Sequence, residues 1–353
     1  MLQRGASASG GLLPLLGVGE WEAFTEVVVG LMESKLAAGL DVPCFPQLRD
    51  MNEMFLELLT GFRRGEGGLV AEGSVRARAG ARIPELGALR WGASRLREAA
   101  GGQVFFRVCV TGPYTLSSLF KQRSPALFLE LGEAVARVLD RSLFRVRGLE
   151  PALLSIDEPV LGFLADPLLD FGSEGREALI KALGTLARVG VSRGMDVSIH
   201  LHSTSDPLFW EVEGLGLVSS HVGDPLYFQG STRRRLEERD MGLVAPVAVT
   251  QFDSLVEAYY RGRGVGEGLG ELVGESWLRI KKGEMDPRVF LEGVEVMEER
   301  LSRLVGFFGE ERVPYASPEC GLGGFPDLES ALECLRRASK ACAVWRGAQG
   351  GGG

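Results

Sequence analysis

Eight short apolar segments, each followed by a longer stretch, constrain the fold of this chain more than any other feature of its sequence. The segments are GLLPLL (11–16), VPCFPQ (42–47), VFFRVCVTG (104–112), ALLSID (152–157), DVSIHLHS (196–203), GLVSSHVG (216–223), GLVAPVAV (242–249) and VPYASPEC (313–320). Apolar runs of this length are typical of buried strands. The stretches between them repeat apolar residues at three and four positions, which indicates amphipathic helices.

Alternating strands and helices predict parallel strands covered by helices, and eight such units close into a barrel. We therefore expect an α/β fold, a (β/α)8 TIM barrel that forms a single domain over residues 1–346. A doubly wound open sheet is the alternative. Residues 64–103, rich in Gly and Arg, predict a small hairpin or excursion after the second βα unit. The Gly-rich residues 347–353 predict a disordered tail.

Composition excludes several classes of partner. The net charge is −8 and the cations are scattered along the chain, so we expect no nucleic-acid partner. No apolar run approaches the roughly 20 residues of a membrane span, and no signal-peptide cleavage pattern follows the N-terminus. We therefore expect a cytoplasmic protein without a membrane partner. Its five cysteines include no CxxC pair, which predicts reduced thiols.

All three histidines of the chain lie near the carboxyl ends of two consecutive predicted strands. His200 and His202 are two residues apart and share one strand face, and His221 ends the next predicted strand. Cys320 ends the last one. In a parallel barrel these ends converge at one mouth, and imidazole nitrogen and thiolate sulfur are ligands that zinc favours. The pattern predicts a metal site. The alternative is that the histidines form hydrogen bonds within the core and that Cys320 is a buried hydrophobe.

Two adjacent carboxylates, Asp157 and Glu158, come where the fourth predicted strand ends. A carboxylate pair at this position can bind an ammonium group or take part in acid–base chemistry. We predict both as substrate-binding residues. The alternative is a capping role, since an acidic residue after a strand often caps a helix.

Several segments together resemble a known family. They are GLLPLLG, DVPCFPQL, DMNEMFLELLTGF, VTGPYTL, SIDEPVLG, IHLHS and SPECGLGGF, in that order. They are similar to the catalytic C-terminal domain of cobalamin-independent methionine synthases and to its single-barrel core relatives, in the superfamily of uroporphyrinogen decarboxylase. The resemblance runs over nearly the whole chain. Its strongest segment is SPECGLGG, with Glu319 in the position of the family's aspartate.

The resemblance implies a zinc ion that activates the thiol of homocysteine. Cys320 matches the family's last cysteine ligand, His202 is a ligand in either register of the motif around it, and His221 stands where the family has a glutamate. Glu53 and Asp157 match carboxylates that bind the amino group of the substrate. Whether His200 is also a ligand stays open.

The residues expected to bind the methyl donor differ from those of the family. Leu119 stands where the family has a tryptophan that stacks on the pterin, and the family's acid histidine has no counterpart. The resemblance thus implies a zinc-dependent thiol S-methyltransferase that forms methionine from homocysteine, with either a corrinoid protein carrying methylcobalamin or methyltetrahydrofolate as donor. The alternatives are methyl transfer to another thiol, such as coenzyme M, and a non-catalytic partner subunit.

Overall fold

The computed structural model describes residues 18–350, which divide into two units. The first unit takes the described residues up to Leu36, then Asp41–His200 and Ser205–Leu215. The second takes Ala37–Leu40, Leu201–Thr204 and the residues from Gly216 onward. No helix among the described residues is long and apolar enough to span a membrane.

The first unit contains a hairpin and three parallel strands with their helices. Its elements are α1 (Val18–Ala37), α2 (Met51–Leu56), β1 (Leu59–Gly65), β2 (Gly68–Ala77), α3 (Pro84–Trp91), α4 (Ala93–Ala99), β3 (Val104–Thr111), α5 (Pro113–Ser117), α6 (Pro125–Ser142), β4 (Leu149–Glu158), α7 (Glu174–Ser192) and β5 (Asp196–Leu201). Two of the long helices begin at serine caps: the Ser124 hydroxyl accepts a hydrogen bond from the Leu127 amide of α6, and the Ser173 hydroxyl accepts one from the Arg176 amide of α7. Such caps satisfy amides that have no partner inside the helix.

The second unit contains three short parallel strands and five helices. Its elements are β6 (Leu217–Ser219), α8 (Gly230–Arg239), β7 (Gly242–Ala248), α9 (Phe252–Arg261), α10 (Leu269–Lys281), α11 (Val294–Phe308), β8 (Tyr315–Pro318) and α12 (Leu328–Gly350). β7 is buried along its whole length and pairs in parallel with β6 and β8. α12 runs through residues 347–350 of the expected tail, and residues 351–353 lie outside the described part of the chain.

Among the described residues, the parallel strands are β3 to β8, three of them in each unit, and parallel pairing elsewhere is limited to isolated bridges. The expectation of a closed (β/α)8 barrel is therefore wrong: the described residues form a parallel sheet of six strands and a separate two-stranded antiparallel sheet. Six of the eight predicted strands are present at the expected places. The segment predicted at 11–16 lies outside the described residues.

The segment predicted as a strand at 42–47 contributes only one bridge. Cys44 pairs with Arg107 of β3, through hydrogen bonds from the Phe45 amide to the Arg107 carbonyl and from the Arg107 amide to the Pro43 carbonyl. The preceding donor on this edge would be the amide of Pro43, and proline has none. Proline chemistry thus prevents the ladder from extending toward the N-terminus, although the segment is apolar.

The excursion expected in residues 64–103 begins with a hairpin. β1 pairs antiparallel with β2, and the register shifts at a bulge between Thr60 and Phe62. Gly61 occupies this bulge with φ of 97°, and an added Cβ would lie 2.2 Å from the Ser74 carbonyl oxygen. A bulge of this shape therefore requires glycine.

A buried carboxylate joins β4 to the start of α5. Glu158 is fully buried, and its oxygens accept hydrogen bonds from the amides of Tyr114 and Thr115, at 2.8 and 2.7 Å, and from the Thr115 hydroxyl at 2.6 Å. Gly112 precedes this helix, and an added Cβ would lie 2.2 Å from the Glu158 Oε1 atom. The close approach leaves room only for glycine.

We predict that Gly112→Ala destabilises the protein by about 1–3 kcal/mol, because the new methyl group must displace the buried carboxylate of Glu158. The measurement is urea unfolding followed by circular dichroism. Gly102→Ala is the matched control, since an added Cβ there has no neighbour within 4 Å. Equal stability of the two variants would contradict the packing argument.

Candidate metal centre

Three of the residues predicted as metal ligands lie together in the second unit. His202 follows the end of β5, His221 follows β6 and Cys320 follows β8. Their ligand atoms lie within 4.8 Å of one another, and all three side chains are half-buried. Cys320 Sγ is 3.4 Å from His202 Nε2, and the centroids of the two imidazole rings are 4.1 Å apart. The cluster could bind a metal ion.

The imidazole ring of His202 is kept in its neutral form, which is the form that binds a metal ion. Burial, and secondarily the neighbouring His221, lowers the pKa of His202 to about 4. The ring is therefore neutral at neutral pH and retains a lone pair. Two imidazole nitrogens and one sulfur form the three-ligand donor set of a catalytic zinc site, in which a fourth position stays open for substrate. The chemistry of the cluster fits zinc.

Gln251 lies beside the second histidine. Its amide nitrogen is 3.3 Å from His221 Nδ1. A glutamine amide can present either its nitrogen or, after a flip, its oxygen. The oxygen would accept the proton of Nδ1 and leave the Nε2 lone pair for a cation, which is the usual arrangement around a metal-bound histidine.

The carboxylate of Asp224 joins the two segments that carry these histidines. Its Oδ2 atom accepts hydrogen bonds from the Thr204 amide at 3.2 Å and from the Ser220 hydroxyl at 2.9 Å. Its Oδ1 atom accepts hydrogen bonds from the Thr204 hydroxyl and from the Leu226 amide. Thr204 is two residues after His202, and Ser220 immediately precedes His221. Asp224 therefore holds both segments in place.

The carboxylate of Glu319 holds the segment that carries Cys320 in place. Its two carboxylate oxygens accept hydrogen bonds from the amides of Val222 and Thr250, each at 2.9 Å, and its own amide donates to the Ala248 carbonyl. It is buried, at 5% exposure, and directly precedes Cys320. Since Val222 follows His221, this carboxylate links the ends of β6, β7 and β8.

In the sequence, Glu319 was indicated only by the family resemblance, and Asp224 was not predicted as a site residue. A signal for Asp224 was present, because Asp-Pro occurs four times in the chain, and each aspartate accepts a hydrogen bond from the amide two residues later at the start of a 3-10 turn. The four are Asp166, Asp206, Asp224 and Asp286. The repeated dipeptide indicates the turn, but not which aspartate also binds the histidine segments.

His200, whose role as a ligand stayed open, belongs to the first unit. It lies on β5 and is buried, at 7% exposure. It precedes His202 by two residues, which places the two side chains on the same face of an extended chain. Its role as a ligand stays a prediction.

The expected substrate carboxylates have different surroundings within the first unit. Asp157 accepts a hydrogen bond from the Ser155 hydroxyl at 2.6 Å, and burial raises its pKa against the opposing effect of Arg107. Burial raises the pKa of Glu158 to about 7, although three donors favour its ionised form. Both Glu158 oxygens are occupied by α5, which is the capping role. Glu53, on α2, forms a two-pronged ion pair with Arg64 of β1.

Comparison with known proteins gives a relation at the level of the fold. The structure is similar to a B12-independent methionine synthase from Shewanella sp. W3-18-1, solved in complex with selenomethionine, with a TM-score of 0.64 over 95% of this chain and 91% of that chain. Sequence identity is 12%, so the likeness shows the fold alone. No protein-family model and no curated protein matches the sequence.

We predict that the purified chain holds about one zinc ion and that Cys320→Ala loses it, because two histidines alone form a much weaker site. Metal analysis by mass spectrometry after dialysis measures the content. Cys342→Ala is the matched control, since Cys342 is also a half-buried thiol but lies on α12. Retention of zinc by the Cys320 variant would exclude this ligand.

We predict that Asp224→Asn weakens zinc binding by about 10- to 100-fold, because an amide cannot accept all four hydrogen bonds that fix the histidine segments. Competition with a chelator measures the affinity, and the visible spectrum of the cobalt(II)-loaded protein reports ligand geometry. Asp286→Asn is the control, since Asp286 caps a similar turn without contacting those segments. Equal affinities in the two variants would remove Asp224 from the site.

Proposed function

We propose that this protein is a zinc-dependent thiol S-methyltransferase that forms methionine from homocysteine. The observation that carries the proposal is the convergence of His202, His221 and Cys320 in a chain with a methionine synthase-like fold. Nitrogen and sulfur ligands in this number are typical of zinc sites that act on a substrate rather than sites that only stabilise a fold.

Zinc held by these three side chains would lower the pKa of a substrate thiol, so that a nucleophilic thiolate is present at neutral pH. Two features of the chain itself favour this chemistry. His202 is neutral at neutral pH and needs no deprotonation before it binds a cation. The buried carboxylates of Asp224 and Glu319 fix the ligand-bearing segments through backbone amides, which limits reorganisation when substrate binds.

The proposed substrate contacts follow from the family resemblance. Asp157 and Glu53 match carboxylates that bind the amino group of homocysteine. Asp157 is the residue before the last of β4, and its side chain is 13% exposed, so that a small ligand can reach it. Glu53 is engaged by Arg64, and a substrate ammonium would have to share or replace this partner.

The proposed donors are a corrinoid protein carrying methylcobalamin and methyltetrahydrofolate. A corrinoid donor needs neither a pterin-stacking tryptophan nor a general acid, because cobalt(I) leaves without protonation. The chain has Leu119 at the tryptophan position and only three histidines, so the residues on this side favour the corrinoid.

A second candidate is methyl transfer to a thiol that carries an anionic group and no amine, such as coenzyme M. It is favoured by the arginines that face both expected ammonium contacts: Arg64 pairs with Glu53, and Arg107 lies 3.8 Å from Asp157. A sulfonate would bind arginine and be repelled by carboxylates, so the two substrates are separable by experiment.

We predict that the zinc-loaded chain methylates homocysteine, more rapidly with methylcobalamin than with methyltetrahydrofolate. Methionine formation is measured by mass spectrometry with both donors side by side, and coenzyme M replaces homocysteine in a parallel reaction. The Cys320→Ala variant should be inactive and the Cys342→Ala variant fully active. Absence of methylation with every pair, in a protein that holds zinc, would favour a non-catalytic role.

A further inference from the structure

The strands of the first unit carry a polar cluster on one face that the proposed chemistry leaves unexplained. Arg107 and Cys109 alternate along β3 and share a face, and Cys44 is bridged to Arg107. Asp157 lies near the end of β4, and its Oδ1 atom is 3.8 Å from Arg107 Nη2. Cys44 Sγ lies 3.4 Å from Cys109 Sγ. Lys35 of α1 donates a hydrogen bond to the Cys44 carbonyl at 2.8 Å.

The cluster holds two basic side chains and one carboxylate. Arg107 interacts with the carboxylate of Asp157, whereas Lys35 lies near Arg107 and the two thiols. Burial lowers the pKa of Lys35, which favours its neutral form, whereas a guanidinium stays charged under all ordinary conditions. Arg107 is therefore the permanent cation of this face.

The guanidinium of Arg107 is incompletely used by the protein. Its Nη2 atom donates to the Ser155 hydroxyl at 2.8 Å, but lies 3.8 Å from Asp157 Oδ1, beyond hydrogen-bond distance. Its Nε atom is buried and has no partner of hydrogen-bond geometry among the described residues, although the Cys109 thiol lies beside the guanidinium. A buried donor without a partner is destabilising, so a bound anion that accepts a hydrogen bond from it would be stabilising.

The side chains of Arg107 and Asp157 are also exposed enough to contact a ligand. Arg107 is 19% and Asp157 13% exposed, so both can be reached by a small molecule but are largely removed from water. Charge-assisted hydrogen bonds are strong in such surroundings, and an arginine fork matches the geometry of a carboxylate. A cation and an anion side by side complement the two charges of an α-amino acid.

We propose that Arg107 binds the α-carboxylate of the amino-acid substrate, beside the ammonium contact already proposed for Asp157. The inference rests on the proposed function, which requires an amino acid, and adds the carboxylate contact that the family resemblance did not supply. The competing anion is the thiolate of Cys44, since the hydrogen bond from Cys109 and the nearby cations lower the pKa of Cys44 to about 7.

Three ligands without sulfur test the site independently of the metal. L-norleucine has both charged groups, n-pentylamine lacks the carboxylate and hexanoate lacks the amine. Isothermal titration of the full chain should show that norleucine binds more tightly than either. Arg107→Met should weaken norleucine and hexanoate by about 10- to 100-fold and leave pentylamine unchanged. Asp157→Asn should weaken norleucine and pentylamine.

Controls keep the test decisive if Arg107→Met folds poorly. Arg107→Lys retains the charge without the fork and should also weaken norleucine. Arg123→Met removes an arginine of similar exposure, which pairs with Asp166, and should leave norleucine binding unchanged. Equal losses for norleucine and pentylamine in the Arg107 variants would overturn the proposal. Unchanged norleucine binding in both Arg107 variants would overturn it too.

The failures of the two proposals are distinguishable. If norleucine binding depends on Arg107 but homocysteine is not methylated, the amino-acid site stands and the proposed reaction fails. If homocysteine is methylated with an unchanged KM in Arg107→Met, only the present inference fails. Arg107-dependent binding of coenzyme M without binding of norleucine would assign this face to sulfonates and overturn the amino-acid assignment.

Discussion

The candidate metal centre depends on two buried carboxylates that accept hydrogen bonds from backbone amides. Asp224 connects the segments of His202 and His221, and Glu319 connects the residue after His221 to the segment of Cys320. Cys320 is 118 residues from His202 in the chain, so contacts between distant segments are needed to bring the three side chains together. A buried carboxylate that loses its donors is costly, so these interactions resist rearrangement of the loops.

The first unit uses buried charge in two different ways. Glu158 has all its hydrogen bonds inside the protein and holds the start of α5, where Gly112 leaves space for it. Arg107 and Asp157, by contrast, face each other at a distance longer than a hydrogen bond and stay partly accessible. The first arrangement is structural. The second has the unsatisfied donor and the exposure expected of a ligand-binding pair.

Strand and helix positions were largely readable from the sequence, because apolar periodicity reports which residues are buried. Six predicted strands, and helices such as α1, α6, α7 and α12, lie where the pattern placed them. The closed barrel was not readable. The apolar pattern shows how many segments are buried, whereas strand pairing depends on backbone N–H donors. In the segment 42–47, Pro43 lacks such a donor. The resemblance to methionine synthases is matched by a structural neighbour at the level of the fold.

The sequence by itself determined which residue types could do chemistry: three histidines and one cysteine at strand ends, with few other candidates for a soft metal. It also indicated the Asp-Pro turns and the acidic pair at Asp157. Only the tertiary structure decided that Asp224, among four similar aspartates, connects the histidine segments. It also decided that Glu158 faces inward and that the Nε atom of Arg107 has no hydrogen-bond partner among the described residues. The physical reason is that hydrogen bonds depend on distances between segments far apart in the chain, and local patterns carry no information about those distances.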